Sequence, residues 1–98
     1  MNLRELSGTL LRELSLKIDK NGQGYYLGKI ICANGLAKVF FFFSPSYDLS
    51  MRLVDLKAEQ KLTLQGYWGK RKPKAFLASD FYLEEVQENV FGWSMAYN

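Results

Sequence analysis

A chain of 98 residues that is 48% hydrophobic and 15% aromatic can bury one core without metal or disulfide support, and it is too apolar to remain disordered. No apolar run approaches the ~20 residues of a membrane-spanning helix, and MNLRELSG carries charge where a signal peptide needs its apolar stretch. The expectation is a soluble, cytoplasmic single domain with no membrane partner. With no histidine and one cysteine, Cys32, there is no internal disulfide, no thiol–imidazole pair and no Cys/His zinc site. The acids lack paired-carboxylate or metal-ligand spacing, so neither an enzyme nor a cofactor is expected.

The net charge of +3 is unevenly spread. Between positions 57 and 74 the cations Lys57, Lys61, Lys70, Arg71, Lys72 and Lys74 meet one acid, Glu59, whereas from Asp80 onward Glu84, Glu85 and Glu88 join Asp80 without a single cation. Such asymmetry points to a polyanionic partner at one place on the surface.

In chain order, LRELS occurs at Leu3–Ser7 and again at Leu11–Ser15. An even offset returns both copies to one face of a strand, and Leu14, Leu16 and Ile18 alternate with polar residues. The pattern predicts one long first strand bent at Gly8. NGQG, Asn21–Gly24, closes a hairpin and leads into Tyr25–Ala33. Asn34-Gly35 closes a second hairpin with Leu36–Ser44. Taken as a two-residue turn, it sets Ile31 opposite Lys38, Lys29 opposite Phe40 and Leu27 opposite Phe42. On that register Lys29, Lys38, Phe40 and Phe42 share an outer face, and Tyr26, Gly28, Ile30, Cys32, Ala37, Val39, Phe41 and Phe43 form the core face.

Ser44–Glu59 has no strand alternation; Ser46 or Asp48 can cap a short helix bearing Leu49, Leu53 and Leu56. Gln60–Lys70 resumes a strand with Leu62, Leu64 and Trp68 inward and Tyr67 outward, unless a bulge near Gly66 exchanges the last two. Residues 70–73 turn, and Lys74 to about Glu84 form the last strand. The tail from Gln87 keeps Phe91, Trp93 and Tyr97 and is expected to cover part of the barrel or a partner.

A long bent strand, a meander, a helical connection and a final hairpin describe an all-β, five-stranded Greek-key barrel. LSGTLLREL, YYLGKIICANGLAKVFFF, KLTLQGYWGK and KAFLASDFYL together resemble the OB-fold nucleic-acid-binding family, which includes single-stranded-DNA-binding proteins and tRNA anticodon-binding domains. The resemblance spans roughly residues 3–86. Lys57-Ala58-Glu59-Gln60 replaces the glycine-bearing turn usual before the fourth strand, and there is no Gly-rich acidic tail of the bacterial single-stranded-DNA-binding type. The resemblance implies a ligand face on the second and third strands, flanked by the loops between strands one and two and between strands four and five.

Single strands are held by rings that stack on bases and cations that follow phosphates. The expected nucleic-acid-binding residues are Lys29, Lys38, Phe40, Phe42, Tyr67, Trp68, Lys70, Arg71, Lys72 and Lys74, with Tyr25 beside them. The expected ligand is single-stranded DNA ahead of RNA, read with little sequence preference, and the expected associations are a homodimer or a larger replication or repair protein. The alternative is an OB-fold protein-interaction subunit or homodimer without nucleic-acid binding.

Overall fold

A computed structural model describes residues 3–72 and 74–84. The elements are β1 (Arg4–Leu10), β2 (Ser15–Ile18), β3 (Gly24–Ile31), β4 (Ala37–Phe43), α1 (Tyr47–Leu53), β5 (Lys61–Trp68) and β6 (Phe76–Leu83). The strands lie in the order β1-β5-β6-β4-β3-β2, and a further pairing of β1 with β3 closes five of them into a barrel. All contacts are antiparallel except β4 with β6, where Phe40 meets Phe76 and Phe41 meets Leu77 in parallel. This is the OB arrangement, with one short helix.

Closure depends on how β1 changes neighbours. Arg4 to Thr9 pair with Gly66 to Lys61 on β5, while Thr9 and Leu10 pair with Ile31 and Ile30 on β3. At the crossover Gly8 lies against β3 so closely that an added Cβ would fall 2.6 Å from the Ile31 carbonyl oxygen. Glycine therefore permits the backbone approach that seals the barrel. The predicted single strand is in fact two: pairing stops after Leu10 and resumes at Ser15, where β2 follows β3 alone. The break comes where the chain leaves β5, beyond the expected bend.

The second hairpin departs from its predicted register by one residue. Gly28 faces Phe40, Tyr26 faces Phe42 and Leu27 faces Phe41. The cause is the turn. Cys32 and Leu36 are the closing pair, with the Cys32 amide bonded to the Leu36 carbonyl at 2.9 Å, so Ala33, Asn34 and Gly35 make a three-residue loop. The Gly35 amide returns to the Cys32 carbonyl at 2.8 Å, the Asn34 side chain accepts from the Leu36 amide at 2.9 Å, and Gly35 sits at φ +85°. A type I turn followed by a left-handed glycine is the usual three-residue hairpin, and one residue of register turns every side chain of β4 to the other face.

The core is accordingly built from Leu10, Ile30, Phe40, Phe42, Leu53, Leu56, Leu62, Leu64, Phe76 and Phe81. Phe40 packs edge-to-face on Phe42 at 6.0 Å, and Phe42 on Phe81 at 6.2 Å. Helix α1 covers one end of the barrel. Ser46 caps it as expected, its Oγ accepting from the Leu49 amide at 3.1 Å. Arg52 ties the helix to β6 through Asp80 Oδ1 at 3.1 Å and by lying over the Phe81 ring at 4.5 Å. The expected packing of the tail from Gln87 lies outside the described residues.

Candidate nucleic-acid interface

Because β4 is turned over, the outer face differs from the expected one. Phe40 and Phe42 are 0% and 1% exposed and line the core, so the prediction that they lie outside is corrected. Lys38 leaves the outer face with them. It pairs with Ile30, is half-buried, and holds its Nζ 5.7 Å from the ring centroid of Trp68. Its long apolar stem reaches past the core edge while its charge rests on an aromatic face. Trp68 also belongs inside, edge-to-face on Phe76 at 5.1 Å and packed against the core.

The residues that take their place are Phe41 and Phe43. Phe43 is 54% exposed and Phe41 is half-buried. Their rings stack at 5.4 Å with an interplanar angle of 18°, and Tyr25 on β3 closes the group at 5.8 Å from Phe41 and 5.4 Å from Phe43. Register extends this cluster into rows across the sheet. One runs from Tyr67 through Leu77, Phe41 and Leu27 to Ser15, and the next from Phe43 through Tyr25 to Lys17. Lys29 keeps its predicted outer position, exposed and opposite Val39. Tyr67 also keeps its position at 39% exposed.

Tyr67 and Trp68 are not exchanged, because the irregularity between Gln65 and Gly66 is absorbed by the partner strand. Gln65 faces Asp80 and Gly66 faces Ala78, leaving Ser79 as the extra residue of β6. The β5 alternation thus runs unbroken to the loop. That loop begins from the Gly69 amide bonded to the Ala75 carbonyl at 2.8 Å, and it carries Lys70, Arg71, Lys72 and Lys74, all exposed. Among the described residues the ion pairs are Arg52–Asp80 and Lys57–Glu13, and neither draws on the loop.

Tyr25, Leu27, Phe41, Phe43, Tyr67 and Leu77 thus form an apolar, largely aromatic surface flanked by Lys17 and Lys29 and by the basic loop. An exposed patch of this kind marks a binding surface, and the cations decide what sign of charge it meets. Phe41 and Phe43 were missed because the register was read from a two-residue turn. The left-handed preference of Gly35 serves a three-residue loop as well as a two-residue one, so Asn34-Gly35 by itself does not decide between them. Among the described residues no group of His, Cys, Asp or Glu side chains could hold a metal ion, and no helix is long and apolar enough to cross a membrane.

No protein family and no curated protein matches the chain by sequence. In three dimensions it is similar to the wild-type single-stranded DNA binding protein from Thermus aquaticus, with a TM-score of 0.72 and 14% identity over 88% of this chain and 41% of that one. It is also similar to PriB from Ralstonia solanacearum, with a TM-score of 0.68 and 12% identity over 87% of this chain and 99% of that one. A third similar structure is the N-terminal domain of PriB from Thermoanaerobacter tencongensis, described as dimeric, with a TM-score of 0.62 and 11% identity over 87% and 98%. The chain spans about two fifths of the Thermus protein's length. At these identities the likeness establishes the OB fold.

Proposed function

We propose that the protein is a binding module for single-stranded nucleic acid, DNA ahead of RNA, with little sequence preference. The observation that carries this reading is the Tyr25–Phe41–Phe43 cluster at the surface, lying on the same sheet as Tyr67 and beside a loop of exposed cations. Bases stack on such rings for about 1 to 3 kcal/mol each, whatever their identity. Lys17, Lys29, Lys70, Arg71, Lys72 and Lys74 take the phosphates. A duplex keeps its bases stacked on one another and offers only the phosphates, so single strands are preferred. The likeness in fold to a single-stranded DNA binding protein supports the reading.

The protein on this reading is no enzyme. On this reading it acts in the cytoplasm, either beside a larger replication or repair protein or as a homodimer, and the neighbour described as dimeric supports the second of these. Anisotropy of a labelled single strand, titrated at two salt concentrations against a duplex control, tests it. Preferential, salt-sensitive binding of the single strand is expected. A stable dimer with no affinity for oligonucleotides would instead favour the protein-interaction subunit, whose apolar contact would be the same exposed rings.

A further inference from the structure

The sheet ends at β2. On one side Ser15 to Ile18 lie opposite Leu27 to Gly24 of β3, and on the other the backbone of β2 meets no strand among the described residues. A free edge of this kind is a template for one more strand. Leu16 continues the inner row that runs through Tyr26 to Phe42, yet Leu16 and Ile18 are 63% and 71% exposed. Beside Leu16 a groove of about 320 Å³ lies between β2 and α1, with Tyr26, Pro45 and Ser50 among its walls.

The sequence beyond the last strand holds a segment of matching pattern. Phe91, Trp93, Met95 and Tyr97 alternate with Gly92, Ser94 and Ala96, so a strand there sets four large apolar side chains on one face and three small residues on the other. Its reach is sufficient. The Glu84 amide bonds to the Lys61 carbonyl at 3.0 Å, and Glu84 borders the same cavity as Ile31 and Cys32. From Ile31 to Leu27, opposite Ser15, is about 13 Å along β3. Residues 84–90 span up to about 25 Å. Arg12, exposed in the connection from β1 to β2, carries the charge opposite to that of Glu85 and Glu88 in that span.

We propose that Phe91–Tyr97 adds to the free edge of β2 in the same molecule, with its large side chains covering Leu16, Ile18 and the groove. A chain leaving the Ile31 end of β3 runs in the direction of β2, so the added strand is parallel to it. Other places suit the segment less. The edge of β1 away from β5 carries Arg4, Glu5 and Ser7, which offer the rings no apolar partner. Tyr25 and Phe41 stand on strands already paired on both sides, so the stacking surface has no backbone groups to receive a strand. On β2 the small residues Gly92, Ser94 and Ala96 fall on the side of Lys17 and leave the Tyr25 ring clear. The inference does not depend on what that ring binds.

The test is a double-mutant cycle on the full chain. Trp93→Ser and Leu16→Ser are each expected to lower the thermal midpoint by about 4 to 8 °C, and the double variant by little more than either alone. Leu36→Ser, at a site 54% exposed and away from β2, is the control and is expected to shift it by less than about 2 °C. Hydrogen exchange gives a second readout, because outward amides of Ser15–Ile18 that exchange slowly in the full chain are expected to exchange fast in Trp93→Ser. Additive shifts, no shift with Trp93→Ser, or β2 amides that already exchange fast in the full chain would overturn the assignment. So would a tighter grip on a labelled oligonucleotide in Trp93→Ser at an unchanged midpoint, which puts the segment on the stacking rings. A dimer by light scattering that Trp93→Ser dissociates would overturn it in favour of exchange between two copies.

Discussion

Phe40 and Phe42 differ from Phe41 and Phe43 only in which side of β4 they occupy. The first pair is closed off in the core, edge-to-face with each other and with Phe81. The second pair lies stacked at the surface against Tyr25, and Phe43 is more than half exposed. Four identical side chains in a row therefore divide into two that hold the barrel together and two that the fold leaves unused. Chemistry does not separate them; the length of the turn at Gly35 does.

The largest way to break this comparison is Phe40→Ala. Loss of a fully buried ring costs about 3 to 5 kcal/mol, and urea denaturation should show most of the domain's stability gone. Phe43→Ala should do the opposite. Stability should change by less than about 1 kcal/mol, while affinity for a single strand should fall by about 1 to 3 kcal/mol, read by anisotropy against circular dichroism of the same sample. Equal loss of stability in both variants would put Phe43 in the core and end the distinction.

Replacing Lys70, Arg71, Lys72 and Lys74 by alanine sharpens the comparison from the side of charge. Each cation that neutralises a phosphate contributes about 0.7 to the slope of log affinity against log salt, so the slope should flatten while the ring contribution persists. The smallest effect is a control outside both sets of rings. Tyr82 donates to Glu5 Oε2 at 2.9 Å, and that hydrogen bond to a carboxylate, with some desolvation, raises the Tyr82 pKa above its usual 10.0. A raised phenol pKa stabilises the fold below pH 10, and the contribution is lost as pH climbs past the raised value. In Glu5→Ala the ¹³Cζ resonance of Tyr82 should titrate closer to 10, with oligonucleotide affinity unaltered.

Much of the fold was legible because its signals are local. Ser46 capping a helix that carries Leu49 and Leu53, the turns at Gly22 and Gly35, and the β5 alternation of Leu62, Leu64 and Trp68 against Tyr67 all follow from neighbouring residues. Register was harder, since Asn-Gly serves two loop lengths and the choice reverses a face. The two-residue register places Lys29 and Lys38 together outside. Lys38, however, reaches over Trp68 from the inner side, as a long amphipathic chain near the end of a barrel can. The basic loop and Tyr67 were readable from composition and alternation. The bulge was not placed, because its extra residue is Ser79, on a strand whose partner, not itself, carries the glycine signal.

The run from Val39 to Phe43 has a further consequence for the unfolded chain. Five consecutive residues of high β-propensity without charge or proline make a segment prone to assemble with copies of itself, bounded by Lys38 before it and Pro45 after it. In the barrel β3 covers one edge of β4 along its whole length, but β6 covers the other only at Phe40 and Phe41. Heating concentrated samples should therefore give unfolding that does not reverse, with a midpoint that depends on scan rate and concentration, while dilute samples refold. The run that supplies both the buried and the surface rings thus also limits the concentration at which this protein can be handled.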